Sequence, residues 1–213
     1  MSDFDERLDL GSAPPNPLIG WIDRAAITRV VNDWGLFRDA GRWDRLRTLY
    51  TPDAVMLTTW FAGPASNFID RSVLAAKGGS KVQHFIGAAS IDINGGRAIA
   101  ETRMILMVRA NVQDVEVDVT CFGRFYDRFV RHENEWRISK RVPVYERDRL
   151  NPVDPGVTVT LDPASLAGFA EGYRHLAYVQ MLGGATLTPG LPTAGSEEEA
   201  RLCAEGAAWL HAA

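Results

Sequence analysis

The order of its segments is the feature that most restricts what this chain folds into. Apolar residues recur at helical spacing from Ile27 to Trp34, and a second short helix is predicted over 43–50. Strand-like segments then follow one another. Residues 115–121 alternate in polarity, and the tight turn Asn94–Gly96 joins two of the strands. Strands joined by such short turns are antiparallel, because parallel neighbours need long crossovers. The order therefore predicts an α+β fold and argues against a wound βαβ fold.

Capping and turn residues set the bounds of the predicted elements. Asp23 is an N-cap candidate for the first helix, and Asp162 precedes a proline at the start of a later one. Ser196 and Glu199 form a capping box for the last helix. The predicted helices cover 23–39, 43–50, 68–77, 163–182 and 197–210. The predicted strands cover 54–61, 82–93, 97–109, 115–130 and 136–146, and the last four of these form one meander.

Changes in composition divide the chain into three parts. Residues 1–18 are predicted to be a flexible arm, residues 19–150 the main domain, and residues 151–213 a helical extension that is not an independent domain. The extension contains large aromatic residues that need a surface to cover: Phe169, Tyr173, Tyr178 and Trp209. We therefore expect it to cover the pocket of its own domain, or to pack across a homo-oligomer, either a dimer or a trimer.

Charge and composition argue against several classes of function. The 23 basic and 27 acidic residues give a net charge of −4, and no dense basic stripe is present, so no nucleic-acid partner is expected. No segment approaches the ~20 consecutive apolar residues of a membrane span. The acidic N-terminus lacks the features of a signal peptide, and the two cysteines, Cys121 and Cys203, are far apart in the sequence. These observations predict a cytoplasmic protein with reduced thiols and no membrane partner.

The sequence also predicts that no cofactor or metal is needed. No glycine-rich loop that would hold a phosphate precedes a helix, which argues against a nucleotide cofactor. The four histidines do not form a set of metal ligands with the scattered acidic residues. Any chemistry is therefore expected to come from side chains alone.

Asp39 and His84 are the candidate catalytic pair. Asp39 ends the first predicted helix, and His84 lies on a mostly apolar strand, where a buried imidazole needs a hydrogen-bond partner. A carboxylate on one ring nitrogen fixes the tautomer and makes the other nitrogen a better base. An imidazolium would also offset the unfavourable position of Asp39 at a helix C-terminus. The alternative is that Asp39 merely ends the helix and His84 is a satisfied core histidine.

Several short motifs in a characteristic order resemble those of SnoaL-like proteins, members of the nuclear-transport-factor-like superfamily. The first helix ends in Asp39, and His84 lies on the strand before the turn at 94–96. The other matching segments are Trp43–Leu46, Thr51–Ala54, Gly123–Arg128 and Glu135–Ile138. The resemblance covers roughly residues 19–150. It implies a curved antiparallel sheet wrapped around N-terminal helices, as a cone-shaped barrel with an internal pocket, to which this chain adds a C-terminal helical extension.

The resemblance also bears on function. Scytalone dehydratase, bile-acid 7α-dehydratase and hexachlorocyclohexane dehydrochlorinase belong to the superfamily, and their Asp–His dyads match Asp39 and His84. The superfamily includes non-catalytic members as well, so the fold alone does not fix the function. This chain departs from the dehydratases at Trp34, where those enzymes often have a tyrosine, and the core domain offers no second pocket histidine.

Two hypotheses follow. The first is a cofactor-independent lyase or isomerase, similar to a dehydratase or dehydrohalogenase, in which His84 abstracts a proton from a small lipophilic substrate. Its substrate-binding residues are predicted to be Trp34, Tyr50, Trp60, Cys121, Tyr126 and Arg141. Either tyrosine is a candidate acid for the leaving group, and Arg141 is a candidate partner for a carboxylate or enolate oxygen. The second hypothesis is a non-catalytic subunit that binds small molecules or supports oligomerisation. The two are distinguished by whether Asp39 and His84 meet at an open cavity.

Overall fold

The computed structural model describes residues 17–79 and 81–212. Its helices are α1 (Pro17–Asp39), α2 (Trp43–Thr48), α3 (Ala65–Lys77), α4 (Pro163–Ala167), α5 (Arg174–Leu182) and α6 (Glu197–His211), with a 3₁₀ turn at Glu171–Tyr173. Its strands are β1 (Tyr50–Thr58), β2 (Phe61–Pro64), β3 (Lys81–Asn94), β4 (Arg97–Val112), β5 (Val115–His132) and β6 (Glu135–Pro152). The predicted α+β class is confirmed.

The six strands form one curved, unclosed sheet in the order β2-β1-β6-β5-β4-β3. All neighbouring strands are antiparallel except β1 and β6, which run parallel. Irregular register in β3, between Ile86 and Ala89, and in β5 accompanies the bending of these long strands. The predicted turn is present, with Asn94 paired to Arg97 across it. Because β3 lies at the edge of the sheet, the outward backbone groups of this strand are free to bind another element.

The hydrophobic core lies on the inner face of the sheet, beneath α1 and α3. Ile27, Val31 and Trp34 of α1 are almost completely buried there. A second, smaller cluster lies on the outer face, where Leu202 and Leu210 of α6 are buried with residues of the sheet. The C-terminal segment therefore covers both faces, α5 contacting the inner face and α6 the outer face.

Several predicted bounds differ from the structure, and β2 was not predicted as a separate strand. The long helix over 163–182 is instead α4, a 3₁₀ turn and α5, because the chain bends so that the backbone of Gly172 packs on Tyr145. A Cβ at Gly172 would lie only 2.8 Å from the Tyr145 carbonyl oxygen. The second helix ends at Thr48 and β1 begins at Tyr50, with Pro52 inside an irregular part of that strand. Helix α1 begins at Pro17, within the predicted arm, and the rest of the arm, 1–16, lies outside the described residues.

No helix in the described ranges is long and apolar enough to cross a membrane.

Candidate active site

Asp39 and His84 are hydrogen-bonded to each other. Asp39 is the last residue of α1, and His84 lies on the edge strand β3. The Asp39 Oδ1 lies 2.8 Å from His84 Nδ1, and Asp39 Oδ2 accepts a hydrogen bond of 2.5 Å from the backbone N–H of His84. This N–H is available because it points away from the sheet at its open edge. One carboxylate thus binds both the ring and the backbone of the same residue.

The hydrogen bond fixes which nitrogen of His84 is free. A carboxylate accepts, so Nδ1 carries the proton and Nε2 keeps its lone pair when the imidazole is neutral. The ring also packs edge-on against Trp34, with centroids 5.1 Å apart and an interplanar angle of 79°. The carboxylate of Asp39 and the indole of Trp34 therefore fix the tautomer and the orientation of the imidazole.

The surroundings of His84 favour the neutral form of its ring. Burial lowers the pKa of His84 below its ordinary value, and the nearby charges of Arg38 and Arg141 act in the same direction. The hydrogen bond and charge of Asp39 oppose these effects, but the net direction is downward. The lowered pKa therefore favours the neutral imidazole, which is the form that can accept a proton.

His84 lines a mostly apolar cavity of about 310 Å³. Its remaining walls come from the helices and the inner face of the sheet, and include Trp34, Met56, Trp60, Phe68, Met104, Leu106, Phe125 and Tyr145. Ligand pockets occupy roughly 300–1,000 Å³, so this one suits a compact molecule. The same cavity is lined from the C-terminal segment by Gln180, Gly183 and Ala185. Within this single chain, the extension covers its own pocket.

Arg38 is a charged residue on the wall of this cavity. It is 9% exposed, and its Nε is buried without a hydrogen-bond partner among the described residues. Burial lowers the pKa of Arg38, while the neighbouring carboxylate of Asp39 raises it. A guanidinium in this position brings a positive charge to an otherwise apolar pocket.

Arg141 and Asp127 form a fully buried ion pair behind the cavity. Two hydrogen bonds of 2.7 and 2.6 Å join the guanidinium to the carboxylate, and both side chains are 0% exposed. The guanidinium carbon lies 4.3 Å from the ring centroid of Trp34 and 4.1 Å from that of Phe125. Burial raises the pKa of Asp127, an effect that the charge of Arg141 opposes. The pair holds the aromatic wall in place, and Arg141 itself does not line the cavity.

The structure separates the predicted substrate-binding residues into three groups. Trp34 and Trp60 line the cavity. Tyr50 and Cys121 are buried in the core without lining it: Tyr50 accepts a hydrogen bond of 2.6 Å from Trp34 Nε1, and the Cys121 Sγ lies 3.7 Å from the Gly172 carbonyl oxygen. Burial raises the pKa of Tyr50 to about 12. Tyr50 therefore supports the position of Trp34, as Arg141 does from the other side.

Tyr126 lies on the face of the sheet opposite the cavity. Successive residues of a strand point to opposite faces, and Phe125 faces the cavity. Tyr126 accordingly lies on the outer face, buried in the cluster beneath α6 and in close contact with Gly206. The prediction that it faces the pocket is wrong, and it is not a candidate acid for this site.

Several lining residues of the site were not predicted from the sequence, and two sets among them are informative. The sequence did not indicate a role for Arg38 in the site, because an arginine in the last turn of a helix is ordinarily explained by its favourable interaction with the helix dipole. Its position directly before Asp39 was the available signal, since two adjacent residues at a helix end can both reach the same neighbouring strand. No motif indicated the bend at Gly172. The lining residues that come after this bend were therefore missed as well: Gln180, Gly183 and Ala185.

Comparison with known proteins establishes the family. The family model of the SnoaL-like domain matches residues 21–142. The chain belongs to the SnoaL-like domain family.

Fungal proteins are among its relatives in sequence. A PEP2-like protein from Fusarium vanettenii is 29% identical over 184 residues, which cover 81% of this chain and 78% of that protein. An uncharacterized protein from Emericella nidulans is 30% identical over 200 residues, which cover 82% of this chain and 79% of that protein. Pea pathogenicity protein 2 from Fusarium vanettenii is 28% identical over 162 residues, which cover 75% of this chain and 70% of that protein.

Solved structures share the fold at low sequence identity. LinA is 15% identical with a TM-score of 0.54, over 68% of this chain and 99% of LinA. A candidate scytalone dehydratase from Novosphingobium aromaticivorans is 16% identical with a TM-score of 0.53, over 73% of this chain and 99% of that chain. Similarity at this level shows a common architecture and leaves the reaction to be argued from the site itself.

Proposed function

We propose that this protein is a cofactor-independent lyase or isomerase acting on a small lipophilic molecule, with His84 as the general base and Asp39 as the residue that orients it. The observation that carries the proposal is the 2.8 Å hydrogen bond between Asp39 Oδ1 and His84 Nδ1, made by a histidine that also lines an apolar cavity. A pair that served only to satisfy a core histidine would not need an adjoining cavity.

The chemistry begins with proton transfer to His84. Nε2 takes a proton from a carbon next to an electron-withdrawing group, and the C–H electron pair moves into the substrate. A leaving group on the next carbon then departs with its electron pair, which completes an elimination. In an isomerisation, the imidazolium instead returns the proton to another carbon. Asp39 stabilises the imidazolium in either case, and general base catalysis of this kind contributes typically 10²–10⁴-fold.

The apolar cavity supports this role. Trp34, Phe68 and Phe125 exclude water around the imidazole, which strengthens the local interactions of a developing charge. The lowered pKa of His84 means that little of the base is lost to protonation at neutral pH. The likeness in fold to a candidate scytalone dehydratase accords with elimination chemistry. The alternative hypothesis, a non-catalytic subunit, is less well supported. It would be favoured if His84 were buried without a cavity, and His84 lines one.

Proton exchange with solvent tests the proposal even when the leaving group is not identified. A panel of lipophilic ketones, β-hydroxy ketones and β-halo compounds is incubated with the protein in D₂O, and deuterium incorporation and elimination products are followed by NMR. We expect the wild type to act on at least one class, and His84→Gln to lose activity by a factor of about 10² or more.

His132 offers a matched control, since it is a partly exposed histidine at the end of β5, away from the cavity lining. His132→Asn should retain the wild-type rate. Equal rates in wild type and His84→Gln on every substrate that is turned over would count against the proposal and in favour of a binding role. The same holds if none of the substrates is turned over.

We also propose that the protein is a homo-oligomer and that it is located in the cytoplasm. Light scattering tests the first proposal, and cell fractionation tests the second.

A further inference from the structure

The positive charge of Arg38 is not balanced by a hydrogen-bonded partner. No hydrogen bond joins its guanidinium to any of the described residues, although the residue is 9% exposed and Nε is fully buried. The guanidinium group lies over the ring of Trp43, with 5.7 Å between the guanidinium carbon and the ring centroid. Burying a charge without a paired, hydrogen-bonded partner is unfavourable, so this arrangement is costly unless something else binds there.

Arg141 provides the comparison within the same site. Its guanidinium is more deeply buried, and two of its nitrogens donate to the carboxylate of Asp127, while Nη1 has no partner among the described residues. Asp39 does not do the same for Arg38: the hydrogen bonds of its two carboxylate oxygens go to His84. The two arginines therefore differ in their surroundings: Arg141 is paired with Asp127 and does not line the cavity, while Arg38 lines the cavity and has no such carboxylate partner.

We infer that Arg38 binds an oxygen of the substrate that carries negative charge, next to the carbon from which His84 removes the proton. This inference rests on the proposed function and names its substrate class: a compact lipophilic molecule with a single acidic or enolisable oxygen group. The rest of the cavity is apolar, so Trp34, Trp60 and Phe68 surround the hydrocarbon part. Guanidinium groups suit this task because they donate in a fixed, planar geometry to carboxylate-like oxygens.

The negative charge has two possible sources with the same chemistry. In a carboxylate it is present before the reaction. In a ketone it appears on the oxygen only when the C–H electron pair moves into the carbonyl group, so that Arg38 stabilises the enolate more than the ground state and accelerates the step. In both cases the proton ends on Nε2 of His84 and the charge faces Arg38.

Matched aromatic probes distinguish these cases. Isothermal titration calorimetry compares 2-naphthoate with its neutral analogue 2-naphthamide, and absorbance titration measures the pKa of protein-bound 2-naphthol. Hydrogen bonds to charged groups are stronger than those between neutral groups, so we expect about a tenfold or greater preference for naphthoate, or an equivalent lowering of the naphthol pKa. Arg38→Gln should abolish the effect, and its affinity for naphthamide should stay within about threefold of the wild-type value.

Arg42→Gln is the control, because it removes the same charge from an exposed position four residues along the chain. It should behave as the wild type does. An effect of Arg38 on naphthoate indicates a substrate carboxylate, and an effect on naphthol alone indicates an enolate. The inference is overturned if neither effect depends on Arg38, including the case in which no probe binds. Binding does not require proton transfer, so discrimination that survives in His84→Gln, together with a lack of turnover, would separate this inference from the proposed function.

Discussion

The carboxylate of Asp39 binds His84 at two points, the ring Nδ1 at 2.8 Å and the backbone N–H at 2.5 Å. The second contact fastens the end of α1 to the edge of the sheet, and the first sets the tautomer of the base. Position and chemistry of the imidazole therefore depend on the same side chain. An amide at position 39 keeps much of the geometry but loses the charge, which makes Asp39→Asn the informative substitution.

Stability should fall as the pH is lowered through the titration range of His84. Its pKa is lowered by folding, so below about 6.5, the ordinary value, the unfolded chain binds more protons than the folded one. The contribution of this group is therefore present above that pH and is lost as the pH falls toward the folded-state pKa. Urea unfolding at pH 7.5 and 5.5 measures the difference. His84→Gln should lose less stability than the wild type between the two pH values, and an equal loss would argue against a lowered pKa.

Breaking the buried ion pair behind Trp34 should be more harmful than replacing it. Asp127→Asn leaves the charge of Arg141 buried and uncompensated, at an expected cost of about 3–5 kcal/mol in the free energy of unfolding. Replacing both residues, as Asp127→Leu with Arg141→Met, removes both desolvation penalties and should recover most of that loss. Urea titrations of both variants give the comparison. If the double variant is the less stable, the pair contributes net stability and this account of it is wrong.

Adding a methyl group at Gly206 should loosen α6. A Cβ there would overlap the hydroxyl oxygen of Tyr126, so either the helix or the buried Tyr126 ring must shift. Alanine is ordinarily the better helix former by about 1 kcal/mol. Gly20→Ala, in open space on α1, is the matched control and should be neutral or stabilising. Thermal unfolding distinguishes the two, and a stabilised Gly206→Ala would show that α6 is not packed as described.

Asp148 should hold α5 in place over the cavity, together with the residues after α5 that line it. Its buried carboxylate accepts from the backbone N–H of Leu176 at 2.8 Å and lies 2.7 Å from Nδ1 of His175, both at the start of α5. Asp148→Ala removes these contacts, so the amides of α5 and the following segment should exchange faster with D₂O, by about tenfold or more, while those of α3 do not change. Hydrogen-exchange mass spectrometry measures both. Unchanged amide exchange in α5 would mean that contacts other than those of Asp148 hold this helix over the cavity.

The fold could be predicted from sequence because its signals are local. The turn at Asn94–Gly96 and the alternation at 115–121 determine neighbouring strands directly, and all four strands of the meander are present. The parallel pairing of β1 with β6 was not predictable in this way, because it joins segments about 90 residues apart and no turn specifies it. The break at Gly172 was missed for the same reason: it depends on contact with Tyr145, far away in the chain.

The candidate site was predictable only in part. Asp39 and His84 were found through chemistry and resemblance together, and the structure brings them into contact. Alternation along β5 was the signal that places Tyr126 outside, once Phe125 is known to face inward. Arg38 illustrates the limit: its sequence position is that of an ordinary surface arginine, and only the packed structure shows that it is buried beside the base.

The pH titration of His84 by NMR, in the wild type and in Asp39→Asn, tests the central claim most directly. Asp39 raises the pKa of His84 against the opposing effects of burial, Arg38 and Arg141. We predict a wild-type pKa below the ordinary value of 6.5 and a further decrease in Asp39→Asn. An unchanged His84 titration would contradict the account, because it would mean that the carboxylate and the imidazole are not coupled.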